Sequence, residues 1–261
     1  MGRARSAVER VCVPRFDGKV ALITGGTRGI GLACVRAFAA RGATVAWTGH
    51  SRKSVDAARV HMPESAADGG IAADFADPGT PATLVAAAAS RYGRLDVLIN
   101  NAGIMDAKAD PMAASVEEWD RIMAINLRAA FFASRAAAGV MQKGGGGSIV
   151  MLGSIAGQIG GAATGSAYVA SKAGLEGLTK SLARHFAPFR IRVNCIAPSG
   201  IETDMVAAWP PEGRARIMAM TPLGRLGRPE EVTQAVLYLG SDDSSYVTGQ
   251  TININGGAYM G

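Results

Sequence analysis

The stretch KVALITGGTRGIGLACVRAFAARG, Lys19 to Gly42, decides the fold. Its first six residues form a short continuous apolar run, as a strand buried on both faces requires. Its last twelve, from Gly31, carry apolar residues at helical spacing and end at Gly42. Between them TGGTRGIG, Thr24 to Gly31, sets glycines at 25, 29 and 31. A glycine-rich turn from strand into helix lets backbone N–H groups close on a pyrophosphate, and the helix N-terminus adds partial positive charge. A glycine pattern alone also suits a tight turn without a ligand. Its place between the first strand and the first helix favours the dinucleotide.

Outward from this unit the pattern repeats. ATVAWTG (43–49), GIAAD (70–74), LDVLIN (95–100), SIVML (148–152), IRVNCIA (191–197) and TININ (251–255) have strand character, with Ala-rich helical segments between them. Apolar strands alternating with helices predict a parallel sheet covered on both faces. The expected fold is therefore α/β, a doubly wound parallel sheet (Rossmann fold) in a single domain over residues 16–261. A flexible basic arm, residues 1–15, precedes it. KGGGGS (143–148) lies between a helix and a strand and reads as a helix-ending loop rather than a linker.

The chain has 261 residues, 48% apolar, enough for a full core. Its 27 basic against 21 acidic side chains leave +6, which suits small anionic ligands. No basic run is interleaved with aromatics, which argues against nucleic acid. Cys12, Cys34 and Cys195 are scattered, as are His50, His61 and His185, so neither a disulfide framework nor a metal site is expected. No apolar stretch approaches the roughly 20 residues of a membrane span. The basic arm has no apolar core after it, so no secretory signal is read and the cytoplasm is the expected location.

The second strand ends WTGHSRKS. A site selective for NAD places a carboxylate there on the ribose 2′-hydroxyl. Gly49 stands in that place, followed by His50, Arg52 and Lys53, and Arg28 lies inside the glycine turn. These cations favour a 2′-phosphate, hence NADP(H). Asp74, after the third strand, is placed to accept from an adenine amino group, or to cap a turn.

Tyr168 and Lys172 stand one helical turn apart in SAYVASKAGLEGLTKS (166–181). Alone, the pair is ordinary helix decoration. With its neighbours it carries a resemblance. TGxxxGxG at Thr24–Gly31, NNAG at Asn100–Gly103, Asn126 in AINLRAAF, Ser154 in GSIAG, YVASK, RVNCIAPSGIETDM and NGGAYMG follow in order. From about Phe16 to Gly261 the chain resembles the short-chain dehydrogenase/reductase family.

The resemblance implies a nicotinamide-dependent oxidoreductase interconverting a carbonyl and a secondary alcohol. Tyr168 would be the general acid, its pKa lowered from about 10 by Lys172, which would also hold the nicotinamide ribose. Ser154 would hydrogen-bond the substrate carbonyl, and Asn126 would bind a water linking Lys172 to solvent. Cofactor contacts would come from Gly25, Thr27, Arg28, Gly29, Ile30 and Gly31, from His50, Arg52 and Asp74, and from Asn101, Ala102 and Gly103. Tyr168 and Lys172 would join Pro198, Gly200, Ile201 and Thr203 at the nicotinamide end. Two departures stand out. Ser154 precedes Tyr168 by 14 residues, at the long end of the family's spacing, and Ser199 replaces the first glycine of the family's Pro-Gly-x-[Ile/Val]-x-Thr. Glycine there often supplies a backbone angle that serine resists.

The segment 202–232 reads as a lid, with Met205, Val206, Trp209, Met218 and Met220 lining an apolar pocket or packing on the body. Its length and the NGGAYMG ending most resemble 3-oxoacyl-thioester (acyl-carrier-protein) reductases. The basic surface such enzymes offer a carrier is thin, limited to Lys143, Arg184, His185 and Arg190. Small ketones, cyclic alcohols, polyols, steroids and coenzyme A thioesters therefore stay open as substrates. A non-catalytic NADP(H)-binding regulator and a nucleic-acid-binding arm are the other classes considered. Family members commonly form homotetramers through helices like those at 126–143 and 166–187 and through the C-terminal strand.

Overall fold

A computed structural model describes residues 14–106, 110–161 and 164–261. Residues 1–13, most of the expected arm, lie outside the described residues. Seven parallel strands form one sheet in the order 3-2-1-4-5-6-7. They are β1 (Val20–Ile23), β2 (Thr44–Gly49), β3 (Gly70–Ala72), β4 (Val97–Asn100), β5 (Gly147–Leu152), β6 (Ile191–Pro198) and β7 (Thr251–Ile254). β3 stops short of the expected 74 because the Asp74 carboxylate accepts the Ala76 N–H at 3.0 Å and turns the chain.

The eight longer helices are α1 (Gly29–Ala39), α2 (Arg52–Arg59), α3 (Thr80–Tyr92), α4 (Val116–Met123), α5 (Ala129–Lys143), α6 (Ser166–Phe186), α7 (Pro211–Met220) and α8 (Pro229–Gly240). Alternate residues of each strand feed two cores. Leu22, Leu98, Ile149 and Met151 pack under α3, α5 and α6. Ile23, Trp47, Ile99 and Val150 pack under α1, α2 and α8. Both faces are apolar, so the strands read as unbroken hydrophobic runs. Trp47, wholly buried, donates its indole N–H to Ala66 O at 2.8 Å.

The strand order reverses between β1 and β4. Crevices at such switch points, beyond the strands' carboxyl ends, bind ligands in open α/β sheets. The loops after β1 and β4 meet there. At the sheet's other end, α5 stops at Lys143, and Gly145 (φ 91°) and Gly146 (φ 133°) turn the chain into β5. The glycine run is thus a helix-ending loop within one sheet. The helix expected from 126 is broken by a π-helical segment, Ala124–Arg128, between α4 and α5.

Candidate active site

Above the switch point lies a cleft of about 460 Å³. Gly25, Thr27, Arg28, Gly29 and Ile30 form one wall. Gly25 (φ 67°) and Gly29 (φ 53°) are left-handed, which glycine adopts without strain. Gly31 lies behind the turn, where a Cβ would overlap the Gly25 carbonyl oxygen and come within 2.6 Å of Asn101 Nδ2. No side chain caps the N-terminus of α1. Its first N–H groups therefore remain available to an anion.

The turn is braced from β2 and β4. Thr48 Oγ1 accepts the Gly25 N–H at 2.9 Å. Asn101 Nδ2 donates to Thr24 O at 2.9 Å and to Gly25 O at 3.0 Å. Thr24 Oγ1 accepts the backbone N–H of Asn101 and of Ala102, each at 3.0 Å. Thr24, just after β1, and Thr48, the penultimate residue of β2, carry no motif signal of their own, yet both brace the glycine turn. Asn101, Ala102 and Gly103 line the cleft. This tight, unobstructed turn with an uncapped helix behind it fits a dinucleotide's pyrophosphate.

Beyond β2 and β3, His50 and Asp74 line the cleft, with Nδ1 and Oδ1 4.0 Å apart. Arg52 does not line it; its guanidinium turns along α2 to Asp56 at 3.2 Å, its i+4 neighbour. A Cβ on Gly49 would come within 2.6 Å of Ser54 Oγ and 2.8 Å of Thr27 Cγ2, so any side chain there would have to displace those two. Arg28 Nη1 meets Asp204, beyond β6, at 3.6 Å.

At the other end Ser154, Tyr168, Lys172, Pro198, Ile201 and Thr203 line the cleft. Gly200 instead faces two adjoining cavities. Ser199 does not have a positive φ, so serine is unstrained where the family has glycine. Its hydroxyl has no hydrogen-bond partner among the described residues, and it borders both the main cleft and a smaller cavity of about 100 Å³. That cavity is walled by Met105, Met205, Val206, Trp209, Ile217 and Met220 and opens onto Ser154 and Tyr168. Met218, read as pocket lining or as packing on the body, is not among its lining residues and is 36% exposed.

Tyr168 and Lys172 are buried on α6. Lys172 Nζ donates to Leu152 O at 2.6 Å and lies 5.5 Å from the Tyr168 ring centroid. Burial pushes the ammonium down to about 8. Burial also raises the Tyr168 phenol above its ordinary value, with the Ser154 hydroxyl pulling the other way. The expected lowering of the phenol by Lys172 is therefore not what the buried pair displays, because desolvation of the phenolate dominates.

Asn126, inside the π-helical segment, is buried behind Gly103. Its amide donates to Ile104 O at 2.9 Å and to Ser171 Oγ at 3.0 Å, and its Oδ1 accepts the Ile104 N–H at 2.9 Å. A Cβ on Gly103 would meet Asn126 Oδ1 at 3.3 Å and Lys172 Nζ at 3.6 Å, so the two groups approach each other across that glycine. One contact had no sequence signal. Asp106 Oδ2 accepts the backbone N–H of Tyr168 at 3.0 Å, across 62 residues.

Among the described residues no helix is long and apolar enough to cross a membrane, and no group of His, Cys, Asp and Glu could hold a metal ion.

The sequence model of a family described as enoyl-(acyl carrier protein) reductase matches residues 25–259. A 3-oxoacyl-(acyl-carrier-protein) reductase, FabG, of Escherichia coli K12 is 40% identical over 94% of this chain and 99% of its own. A 3alpha-hydroxysteroid dehydrogenase of Mediterraneibacter gnavus is also 40% identical, over 93% of this chain and 98% of its own. A solved structure from Sinorhizobium meliloti 1021, described as a short-chain alcohol dehydrogenase, superposes with a TM-score of 0.88 at 34% identity, covering 95% of this chain and 98% of that one. The chain belongs to the short-chain dehydrogenase/reductase family, a nicotinamide-dinucleotide oxidoreductase working between CH–OH and C=O groups.

Proposed function

We propose that the protein is an NADP(H)-dependent reductase of 3-oxoacyl thioesters. The observation that carries the reaction is the meeting of Ser154, Tyr168 and Lys172 where the dinucleotide cleft opens into an apolar cavity. The bound nicotinamide supplies the hydride. The Ser154 hydroxyl donates to the substrate carbonyl oxygen and stabilises the charge that grows there. Tyr168, which holds its proton at neutral pH, passes it to that oxygen. Lys172, with a pKa of about 8, restores the proton from solvent along the Asn126 side of Gly103.

Preference for the 2′-phosphate is supported by the crowded Gly49 and the nearby cations. Arg28 is the cation expected to carry it, its side chain 72% exposed and only loosely paired with Asp204. A charge-assisted hydrogen bond contributes about 1.5–3 kcal/mol. Arg28→Ala should therefore weaken NADPH by about tenfold to a hundredfold and leave NADH unchanged, whereas Arg52→Ala should do little. Fluorescence titration with both nucleotides measures this; equal losses for NADPH and NADH would refute the assignment.

Two equally similar relatives are named for different substrates, so similarity does not choose between a thioester and a ring ketone. The methionine-rich cavity suits a short acyl chain. The basic residues considered for a carrier stand far from it. Arg184 lies sixteen residues beyond Tyr168 on α6, roughly 24 Å along the helix, and Arg190 follows that helix. This favours a coenzyme A thioester, or a carrier docked elsewhere. A cytoplasmic homotetramer through α5, α6 and the outer edge of β7 completes the reading.

The test is NADPH oxidation with acetoacetyl-coenzyme A, with NADH alongside. Rapid turnover selective for NADPH is the expected result. No turnover, with activity on cyclic ketones instead, would overturn the thioester assignment and leave the family unaffected.

A further inference from the structure

We propose that Asp106 is a positioning residue for the reaction, holding the first turn of α6 so that the Tyr168 phenol meets the substrate carbonyl. This rests on the reading of Tyr168 as proton donor.

The first N–H groups of any helix lack intrahelical acceptors. In α6 the N-cap residue is Gly165, which has no side chain to offer. The cap arrives instead from the loop after β4. Asp106 Oδ2 accepts the N–H of Tyr168, the third residue of the helix, at 3.0 Å. A carboxylate there is also favoured by the helix dipole. Gly165 is shaped around it: a Cβ on Gly165 would overlap the Asp106 carboxyl carbon and come within 2.7 Å of its Oδ1. The Gly165 backbone (φ −74°, ψ 165°) is extended and open to any residue. Room for Asp106 is therefore the structural reason for glycine at this position.

The same loop bonds in turn to three functional elements. Asn101 braces the glycine turn, Ile104 is clasped by Asn126, and Asp106 ends on Tyr168. Lys172, one turn further along α6, is held separately by Leu152 O. Loss of the Asp106 cap therefore frees the turn that carries the phenol while the lysine keeps its anchor.

The test compares Asp106→Ala, Asp106→Asn, Gly165→Ala and the double variant Asp106→Ala/Gly165→Ala, with Tyr168→Phe as reference. NADPH fluorescence titration counts the folded, cofactor-competent sites in each. Misplacing a reacting group by about 1 Å costs up to about a hundredfold in rate. Asp106→Ala and Gly165→Ala should each lower kcat about tenfold to a hundredfold per competent site, with the cofactor Kd and its KM unchanged. Asparagine caps as well as aspartate does, so Asp106→Asn should recover most of the loss. The double variant should be no worse than either single one, since both remove the same contact. Unchanged kcat in Asp106→Ala, a loss expressed only as fewer competent sites, no recovery in Asp106→Asn, or multiplying losses in the double variant would overturn the proposal. Near-native activity in Tyr168→Phe would instead overturn the reading on which it rests.

Discussion

Tyr168→Phe should remove turnover while leaving NADPH bound as tightly as before. The phenol oxygen is the only atom lost, and the ring remains buried on α6 beside Lys172. General acid catalysis contributes about 10²–10⁴-fold, so carbonyl reduction should fall by that factor. No neighbour is placed to take over. Ser154 is a hydroxyl without a base of its own, and Lys172 Nζ points to Leu152 O and lies 5.5 Å from the Tyr168 ring centroid. The nucleotide's grip on the glycine turn, some distance from the phenol, should be unaffected. Stopped-flow reduction and a parallel fluorescence titration separate the two effects. Activity near that of the unaltered enzyme would sink the mechanism; joint loss of binding and turnover would mean that the hydroxyl supports the cleft rather than the chemistry.

Gly31→Ala should have the second largest effect, from a single methyl group. Gly31 is buried in the first turn of α1, and the added Cβ would overlap the Gly25 carbonyl oxygen and press on Asn101 Nδ2. Both neighbours belong to the brace that shapes the glycine turn. Neither is the free end of a flexible chain, so the turn itself must move. Overpacking of this kind costs about 1–3 kcal/mol, or roughly tenfold to a hundredfold in cofactor affinity if the strain falls on the bound turn. Calorimetric titration with NADPH, checked by thermal unfolding with and without nucleotide, measures it. Native affinity would mean that the turn yields more readily than its hydrogen bonds suggest.

The fold and the membership of the cleft were legible in the sequence for a common reason: both are local. An apolar run flanked by turn residues marks a strand wherever it lies, and all seven such runs became the seven strands of the sheet. The glycine turn, Asn101–Gly103 and the Tyr168–Lys172 pair are likewise short motifs fixed by their own segments. What escaped was set by rotation or by distance. Arg52 turned to Asp56 because the first turn of a short helix decides which way a side chain leaves it. Gly200 faces away from the cleft although Ile201 beside it does not. The Tyr168 phenol is pushed up rather than down because burial, a sum over the whole fold, outweighs the hydrogen bond from Ser154. Ser199 fits without strain because its backbone never needed the angle that only glycine would supply. Asp106 carried no signal at all, since its partner lies 62 residues away.

The glycine loop between α5 and β5 has a practical use. Gly144 and Gly145 are exposed, and the space around Gly145 is open, although its positive φ of 91° keeps that position for glycine. The loop sits at the amino end of β5, whereas Ser154, Tyr168 and Lys172 line the cleft beyond the carboxyl ends of the strands. Exposed loop tips of small residues tolerate insertion best. A fluorescent reporter or surface tether grafted there would leave the glycine turn, the lid and the Asp106 contact untouched. The sheet itself would separate the attachment from the chemistry.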